Sequence, residues 1–437
     1  MRYAEACEYL KRIPGENCKL SLDNIRRIIA RLPFDAGAVK YVQVAGTNGK
    51  GSTSHFIAAI LGSAGWRVGI FTSPHLQDVR ERIQIDGRPI SRRDFARAVS
   101  AVYSLCRELI AGRVIDNLPT FFETLFLAAI FHFVGRGADW AVLEVGLGGR
   151  LDATSTVIPQ ISVITNISRD HTHILGKTLA AIAREKAGIA KKNVPLVSGC
   201  PLRSVAAGII RAKARAKKAP LVEVFDTPGG LRVEKKGAAY LCRYRLPDRE
   251  YRFRVLQKGR HQTLNAAVAV RAVDVLRRRG WEIGAADVAR GIRAMFIPAR
   301  IEVFSGRPPL ILDGGHNSAG IKVLVEYLQG EGISGFTLIF GVLKDKHYPA
   351  MARQLAPLAA HVILTEPRSE RALAAEKLLP FFRGQDCRIE MNYSQALAVA
   401  KKLKRTIIVC GSLYLAGEMR TVILGGEKHG RQKIQGD

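Results

Sequence analysis

Short apolar runs alternate along this chain with longer segments in which apolar residues recur at helical spacing. The apolar, β-branched runs predict buried strands, and the segments between them predict helices. The predicted strands of the first half lie at 40–46, 67–73, 139–146, 161–167 and 194–199, and its clearest helices at 52–65, 121–133 and 178–190. Strands that alternate with helices favour a mostly parallel sheet covered by helices on both faces.

The pattern changes between about residues 219 and 257, where short alternating strands and turn residues predict a small antiparallel appendage. A helical segment follows at 261–280, and Pro298 marks a domain boundary. Four further apolar runs predict a second βα series, at 309–315, 335–341, 361–367 and 405–412. The predicted fold class is therefore α/β with two domains. An N-terminal P-loop domain (1–297) carries the appendage, a smaller Rossmann-like domain covers 298–425, and 426–437 form a polar tail.

Composition narrows the class of protein. Of the 437 residues, 47% are hydrophobic and 24% are charged, as in globular proteins. No uncharged apolar run reaches the roughly 18 residues of a membrane span, and the N-terminus lacks the apolar core of a signal peptide. The seven cysteines form no C-x-x-C pair, which favours reduced thiols in a cytoplasmic protein. Nothing in the pattern demands an interface, so we expect a monomer.

The formal net charge of +29 is unusual and favours anionic partners: nucleic acid, membrane headgroups or polyanionic small molecules. The densest basic clusters, 211–219 and 271–280, lack the interleaved aromatic residues of a single-strand binder. We interpret both as solvated helix faces, and we expect neither a nucleic acid nor a membrane as partner.

The stretch "GTNGKGS" (46–52) lies between a predicted strand and a predicted helix. In that setting, a glycine-rich turn lets backbone N–H groups converge on phosphate oxygens at a helix N-terminus. Lys50 supplies a positive charge for the outer phosphates, and the hydroxyl of Ser52 can hold Mg²⁺. The alternative is an ordinary glycine-rich turn. The spelling departs from the common phosphate loop, because Gly51 separates Lys50 from Ser52.

Other polar residues follow predicted strands, where open α/β sheets bind ligands. Glu144 interrupts an apolar strand and is either a site carboxylate or a strand-end residue that reaches solvent; Asp152 could be only a helix N-cap. Asp170, His171 and His173 could form a zinc cluster. We favour the alternative that one of the histidines assists a magnesium site.

Two further polar positions leave alternatives open. Lys186 lies in an apolar helix, where a surface lysine is the usual explanation. Asp313, His316 and Asn317 are ligand candidates or helix caps.

Taken in order, these segments resemble the folylpolyglutamate synthase branch of the Mur ligase superfamily. The matching stretches are "AGTNGKGST", "FTSPHL", "ERI", "TFFET", "EVGLGGRLDAT", "DHTHILG", "EKAGI", "HQTLNA", "PARIEV", "LDGGHN" and "CGSLYLAGE". They span about residues 19 to 418. "GTNGKGS" is this superfamily's spelling of the nucleotide loop.

The resemblance implies a role for each matching residue. ATP would be held by Gly46, Thr47, Asn48, Gly49, Lys50, Gly51, Ser52, Asn265, Arg300 and Asp313. Mg²⁺, as one or two ions, would be held by Ser52, Ser73, Glu144, His171 and a carbamylated Lys186, and a monovalent cation is a further candidate. The folate side would use Leu20, Ser21, Leu22, Asp23, Thr120, Leu151, Asp152 and Ala153. The catalytic set would comprise Lys50, Glu144, His171, Lys186 and His316.

The implied activity is an ATP-dependent ligase that adds L-glutamate to a folate through an acyl phosphate. The sequence leaves open whether the acceptor is dihydropteroate, a reduced folate or both. One alternative is a ligase for a peptidoglycan precursor, which "TSPHL" argues against. Another is a basic P-loop NTPase stimulated by nucleic acid, which the net charge motivates.

Overall fold

The computed structural model describes residues 1–13, 21–226 and 230–427. It consists of two compact units. The first comprises Met1–His75, Val79–Leu256 and Gln262–Met295, and the second comprises Leu76–Asp78, Gln257–His261 and the chain from Phe296 onward. The change of unit at 295/296 lies two residues before the predicted boundary. Leu20 and most of the predicted tail lie outside the described residues, and residues 426 and 427 belong to the last helix.

The first unit is built on an eight-stranded sheet in the order β4-β3-β2-β5-β1-β6-β7-β8. Its strands are β1 (Lys40–Ala45), β2 (Val68–Phe71), β3 (Ile83–Ile85), β4 (Arg88–Pro89), β5 (Trp140–Glu144), β6 (Ile161–Ile164), β7 (Leu196–Ser198) and β8 (Leu221–Glu223). The six strands from β2 to β8 run parallel, and β3 and β4 pair antiparallel at one edge. Residues of β1, β2, β5, β6 and β7 are almost all buried, as expected of a sheet with both faces covered.

A separate three-stranded antiparallel sheet of this unit has the order β11-β10-β9, formed by β9 (Leu231–Lys236), β10 (Ala239–Arg245) and β11 (Glu250–Val255). The helices of the unit are α1 (Tyr3–Arg12), α2 (Asp23–Ile29), α3 (Lys50–Ser63), α4 (Arg92–Ala111), α5 (Phe121–Gly135), α6 (Thr172–Leu175), α7 (Leu179–Lys186), α8 (Val205–Ala216), α9 (His261–Arg278) and α10 (Ala285–Ala294). Short 3₁₀ segments lie at Ala36–Ala38, Val79–Arg82, Ala153–Thr156 and Ala187–Ile189.

The second unit has a six-stranded sheet in the order β12-β13-β17-β14-β15-β16, parallel except for β12. Its strands are β12 (Glu302–Phe304), β13 (Leu310–Leu312), β14 (Phe336–Phe340), β15 (Ala359–Leu364), β16 (Asp386–Ile389) and β17 (Ile407–Cys410). Its helices are α11 (Ser318–Gly330), α12 (Tyr348–Leu355), α13 (Tyr393–Lys402) and α14 (Leu413–Glu427), with 3₁₀ segments at Ala356–Leu358 and Ala375–Phe382. The predicted fold class is confirmed.

Two details of the sequence interpretation are wrong. The run 221–223 is not part of the antiparallel appendage, because β8 pairs with β7 as the edge strand of the large parallel sheet. The basic cluster 271–280 is not simply a solvated face, because Arg271 is only 7% exposed and pairs with buried Asp274. Arginine and aspartate three residues apart lie side by side on a helix. Such a pair can be buried as well as exposed, so the spacing alone does not predict its burial.

Within the described ranges, no helix has the length and apolar character needed to cross a membrane. The cysteines of those ranges are all free thiols: Cys7, Cys106, Cys200, Cys242, Cys387 and Cys410.

Candidate active site

Four neighbouring strands of the first sheet bring the predicted site residues to one edge. In the order β2-β5-β1-β6 the strands are parallel, with Val44 of β1 opposite both Glu144 of β5 and Val163 of β6. Their carboxyl ends lead into Ser73, Glu144, the loop 46–52 and the segment 165–171. The order of the chain reverses around β1, which is where open α/β sheets bind ligands.

The loop 46–52 requires glycine at two positions for steric reasons. Gly46 has φ +147°, and a Cβ atom there would lie 1.9 Å from Thr165 Oγ1. Gly49 has φ +77° and is the N-cap residue of α3. A Cβ atom on Gly49 would lie 2.3 Å from Oδ1 of Asn265 in α9. The structure therefore places Asn265, which the resemblance assigns to ATP binding, against the loop, and this close approach requires glycine at position 49.

The segment that follows β6 fixes the backbone of this loop. The Thr47 hydroxyl donates to the carbonyl of Ser168 (3.0 Å), and the Asn48 amide donates to Asn166 Oδ1 (3.0 Å). Thr165 Oγ1 donates in turn to the carbonyl of Asn48 (2.7 Å). These bonds preorganise the loop ahead of α3, the arrangement in which a helix N-terminus binds anions.

Lys50 and Ser52 occupy the first turn of α3. The ammonium group of Lys50 donates to the carbonyl of Thr47 (3.2 Å), so its charge lies over the loop itself. Ser52 is 4% exposed. The alternative of an ordinary glycine-rich turn does not account for a lysine folded back over a loop whose backbone is held by the side chains of Thr165 and Asn166.

Glu144 is a buried carboxylate beside the same loop. Glu144 is 5% exposed, and its Oε2 atom accepts a hydrogen bond from the backbone N–H of Ser73 at 3.1 Å. The same oxygen lies 3.4 Å from the position of a Cβ atom on Gly51. The interpretation that Glu144 simply reaches solvent is wrong, because the carboxylate is buried against the loop at Gly51.

Lys186 ends α7 and is 6% exposed, so it is not a surface lysine. Burial and, to a lesser extent, the charge of Lys50 together lower the pKa of its ammonium group to about 7, against the opposing charges of Asp170 and Asp152. A substantial fraction of the amine is therefore neutral near pH 7, which makes it a nucleophile.

The glycine-rich loop after β5 packs onto the end of α7. A Cβ atom on Gly149 would lie 3.0 Å from the carbonyl oxygen of Lys186, and the Arg150 amide donates to the carbonyl of Glu185 at 2.9 Å. Asp152 caps the 3₁₀ segment that follows and accepts the amides of Gly146 and Leu147, both at 3.0 Å. Its N-cap role is confirmed, and burial raises the pKa of this carboxyl group.

His171 is the N-cap residue of the four-residue helix α6 and has a left-handed backbone (φ +48°). Its Nε2 atom lies 3.9 Å from Asp170 Oδ1, and its ring centroid lies 6.3 Å from that of His173. Across the three described ranges, no group of three or more His, Cys, Asp or Glu side chains is arranged to hold a metal ion. The zinc cluster considered from the sequence is thus not found there.

Three of the predicted folate residues contribute to the hydrophobic cluster that includes the core of α5. Leu22 and Ala153 are buried in one hydrophobic cluster, with Leu151 partly buried against it. Ser21 donates its hydroxyl hydrogen to Asp23 at 2.8 Å. Thr120 caps α5 in a capping box with Glu123, which gives it a structural role whatever it binds.

Arg82 is a cation that the sequence interpretation did not assign. It is 8% exposed, its Nε atom donates to Nδ1 of His75 (2.9 Å), and its guanidinium lies 5.2 Å from the ring centroid of Phe121. Phe121 packs against the same cluster as Leu22 and Ala153. The matching "ERI" pointed to this position without indicating that the arginine would be buried.

In the second unit, the residues after β13 form a separate polar group. Asp313 is 7% exposed and accepts the amides of Ile301 (2.9 Å) and Gly315 (2.8 Å). Burial raises the pKa of its carboxyl group, while the charge of Arg300 opposes the shift. His316 Nδ1 lies 3.0 Å from the carbonyl oxygen of Gly314. The helix cap here is Asn317, which accepts the amide of Gly320.

Comparisons with known proteins show the family of the chain. Residues 44–273 match the Mur ligase middle domain, and residues 299–413 match the glutamate ligase domain of Mur ligases. The chain belongs to the Mur ligase family. The predicted membership and the expectation of an ATP-dependent ligase are confirmed.

Individual relatives indicate which branch of the family the chain resembles. The chain is 33% identical over 442 residues to the folylpolyglutamate synthase of Lacticaseibacillus casei, covering 98% of this chain and 100% of that protein. It is 35% identical to a probable bifunctional folylpolyglutamate synthase/dihydropteroate synthase of Haloferax volcanii, covering 96% of this chain but only 50% of that protein. A structure of the Mycobacterium tuberculosis folylpolyglutamate synthase complexed with ADP matches with a TM-score of 0.88 at 28% identity, covering 98% of each chain.

Proposed function

We propose that this Mur ligase joins L-glutamate to a folate at the expense of ATP. The observation that carries the proposal is the assembly of loop 46–52, Glu144 and Lys186 at one sheet edge. The full-length match to a protein named folylpolyglutamate synthase supports a folate acceptor, and the ADP complex of a further relative supports ATP as the nucleotide. A peptidoglycan-precursor ligase is the alternative that these matches disfavour.

The proposed reaction has two steps. A carboxylate oxygen of the folate attacks the γ-phosphorus of ATP, and ADP leaves, which gives an acyl phosphate. The amine of glutamate then attacks the acyl carbon, loses a proton and displaces phosphate. Because little covalent chemistry falls to the protein, catalysis rests on positioning and on neutralising charge.

This chain's own residues would supply that positioning. The amides of loop 46–52 and the ammonium of Lys50 would bind the phosphates, and Arg300 would offset charge on the transferred group. Asn265, at the loop, and Asp313 would contact the nucleotide, and His316 would complete the catalytic set. Arg82, buried beside the hydrophobic cluster of Leu22 and Ala153, suits a carboxylate or ring oxygen of the folate.

The site also fits magnesium. Ser52, Ser73 and Glu144 offer hydroxyl and carboxylate oxygens, the hard ligands that Mg²⁺ prefers, and Glu144 is a buried carboxylate held beside the loop. His171 would complete the set. When bound, the metal would neutralise negative charge on the phosphate oxygens.

We further propose that Lys186 is carbamylated. The neutral amine attacks carbon dioxide, forms an N–C bond and releases one proton, which replaces a buried cation with an anion suited to a second Mg²⁺. The lowered pKa of Lys186 supports this step, because only the neutral amine reacts. Carbon-labelled bicarbonate should give a carbamate NMR signal in the wild-type protein that Lys186→Gln lacks, whether or not the protein is active.

The deciding experiment is mass spectrometry of products from Mg-ATP, glutamate and either dihydropteroate or tetrahydrofolate. Addition of one glutamate to dihydropteroate would establish dihydrofolate synthase activity, and extension of tetrahydrofolate alone would indicate a dedicated polyglutamylating enzyme. ADP release without either product would overturn the folate proposal. We also propose that the chain acts as a monomer in the cytoplasm; its free thiols support a reducing compartment, and light scattering tests the mass.

A further inference from the structure

The three-stranded sheet β9–β10–β11 has two chemically different faces. One face is buried and aromatic, formed by Cys242, Tyr244, Tyr251, Phe253 and Val255. The opposite face is exposed and basic, formed by Arg232, Lys236, Arg243, Arg245, Arg252 and Arg254, with Glu234 and Glu250 as its acidic residues. We name this second face the arginine face. Six basic against two acidic side chains leave an excess of four positive charges.

Strand register places three arginines of this face in one row. Arg243 of β10 lies directly opposite Arg232 of β9 and Arg252 of β11. Like charges directly opposite one another on a sheet are destabilising. The carboxylate of Glu250 offsets this repulsion only in part. Its oxygens lie 3.4 Å from Nε of Arg243, 2.8 Å from Nε of Arg252 and 3.6 Å from a guanidinium nitrogen of Arg245. One carboxylate is thus shared among three guanidinium groups, while nothing within the described ranges forms an ion pair with Arg232 or Arg254.

A row of this kind is complementary to a chain of anionic groups. Neighbouring strands are about 4.8 Å apart, so the row spans about 10 Å and offers guanidinium groups to successive carboxylates. All aromatic residues of the sheet lie on the buried face or at its edge, so the arginine face offers no ring on which a nucleic-acid base would stack. Charge complementarity without stacking favours a polycarboxylate.

The sheet is also tied closely to the nucleotide loop. Ten residues separate Val255, the end of β11, from Asn265, which contacts the loop at Gly49. Six of those steps precede the start of α9 and four lie within it, so the chain allows at most about 27 Å between the two points. Arg252 of the arginine face lies three residues before Val255, which adds at most about 10 Å, and an oligomeric tail of several residues spans such a distance.

We propose that the arginine face binds the oligoglutamate tail of the folate substrate. This inference rests on the proposed function, because each ligation adds one carboxylate to the tail and so makes it more complementary to the face. On this proposal, part of the net charge of +29 serves to retain substrates that already carry several glutamates.

The first test measures binding alone. A fluorescently labelled pentaglutamate without a pterin should bind the wild-type protein at low ionic strength, and R232Q/R243Q/R252Q should weaken its Kd roughly tenfold, since each exposed charge pair contributes roughly twofold. The matched control is R215Q/K217Q/K218Q, which removes the same charge from exposed positions at the end of α8. The control should leave Kd unchanged, and salt should abolish the difference.

The second test measures turnover. With a pentaglutamyl folate, KM of R232Q/R243Q/R252Q should rise roughly tenfold at unchanged kcat, and with a monoglutamyl folate KM should stay as in the wild type. Equal effects of both triple variants, no effect of either, or an equally weakened affinity for duplex DNA would overturn the inference. If the wild-type protein ligates no glutamate, the proposed function fails and the tail loses its role as substrate, while the pentaglutamate measurement still shows whether the arginine face binds oligoglutamate.

Discussion

Oδ1 of Asn265 lies 2.3 Å from the position that a Cβ atom on Gly49 would occupy. The two residues are more than 200 positions apart in sequence, yet α9 brings the asparagine against the turn that begins α3. Gly49 also has φ +77°, a conformation that side chains rarely adopt. The nucleotide loop and the start of α9 therefore fit together only while position 49 has no side chain.

Replacement of Gly49 tests this relationship. Gly49→Ala should strain the backbone by roughly 1–2 kcal/mol and displace Asn265, and ATP affinity should fall at least tenfold. Calorimetry with a non-hydrolysable ATP analogue measures the affinity, and a thermal melt measures the strain. Gly62→Ala is the matched control, because Gly62 lies in the same helix with open space around it and should gain up to about 1 kcal/mol in stability. Wild-type nucleotide affinity in Gly49→Ala would contradict the proposed geometry.

The carboxylate of Glu144 gives a second prediction. Glu144→Gln keeps the shape and an oxygen that can accept the Ser73 amide, but it removes the negative charge beside the loop. We expect kcat to fall by a hundredfold or more at an unchanged or slightly raised melting temperature, since a buried charge is lost. Steady-state kinetics over a range of Mg²⁺ concentrations and a thermal melt measure the two effects. Full activity of the Glu144→Gln variant would remove Glu144 from the proposed metal site.

Where a residue lies along a strand can be read from sequence, whereas its burial depends on partners distant in the chain. The apolar run before Glu144 predicts both its strand and its position at the sheet edge, and the glycines of 46–52 predict the loop. Burial of Lys186 and Arg82 could not be predicted, because it follows from the loop at Gly149 and from the cluster around Phe121. The edge strand β8 differs from its predicted place for a similar reason, because a three-residue run of two apolar residues and a glutamate does not specify which strand it pairs with.

His132 on α5 should make stability depend on pH. Burial, opposed by Asp94 and assisted by the charges of Arg136, Arg97 and Arg67, lowers the pKa of its imidazole to about 4. Between pH 6.5 and 4 the unfolded chain binds a proton that the folded ring does not, so the wild-type protein loses stability as pH falls through that range. His132→Phe removes this titration and should be relatively more stable at pH 5 than at pH 8, by about 1–2 kcal/mol, because solvent screens part of the full shift. Thermal melts at both pH values measure the difference, and an equal effect at pH 5 and pH 8 would contradict the assignment.

Asp274 of α9 connects the helix to the three-stranded sheet. It is fully buried, and its carboxylate accepts the Tyr251 hydroxyl (2.9 Å), the Arg277 guanidinium (3.0 Å) and Nε of Arg278 (2.9 Å). Replacing one member of a buried ionic group leaves the others without compensation. Asp274→Asn should therefore lower the free energy of unfolding by roughly 3–5 kcal/mol.

The matched control for Asp274 is Asp248, which pairs with the same two arginines from an exposed position. Its side chain is 48% exposed, so solvent can replace the carboxylate, and Asp248→Asn should unfold close to the wild-type urea midpoint. Urea unfolding of both variants, followed by tyrosine fluorescence and by turnover of the folded fraction, measures the contrast. Because neither aspartate belongs to the proposed site, kcat per folded molecule should stay at the wild-type value in both. Equal midpoints for the two variants would mean that the sheet is held by its aromatic face alone and that the buried ionic group contributes little.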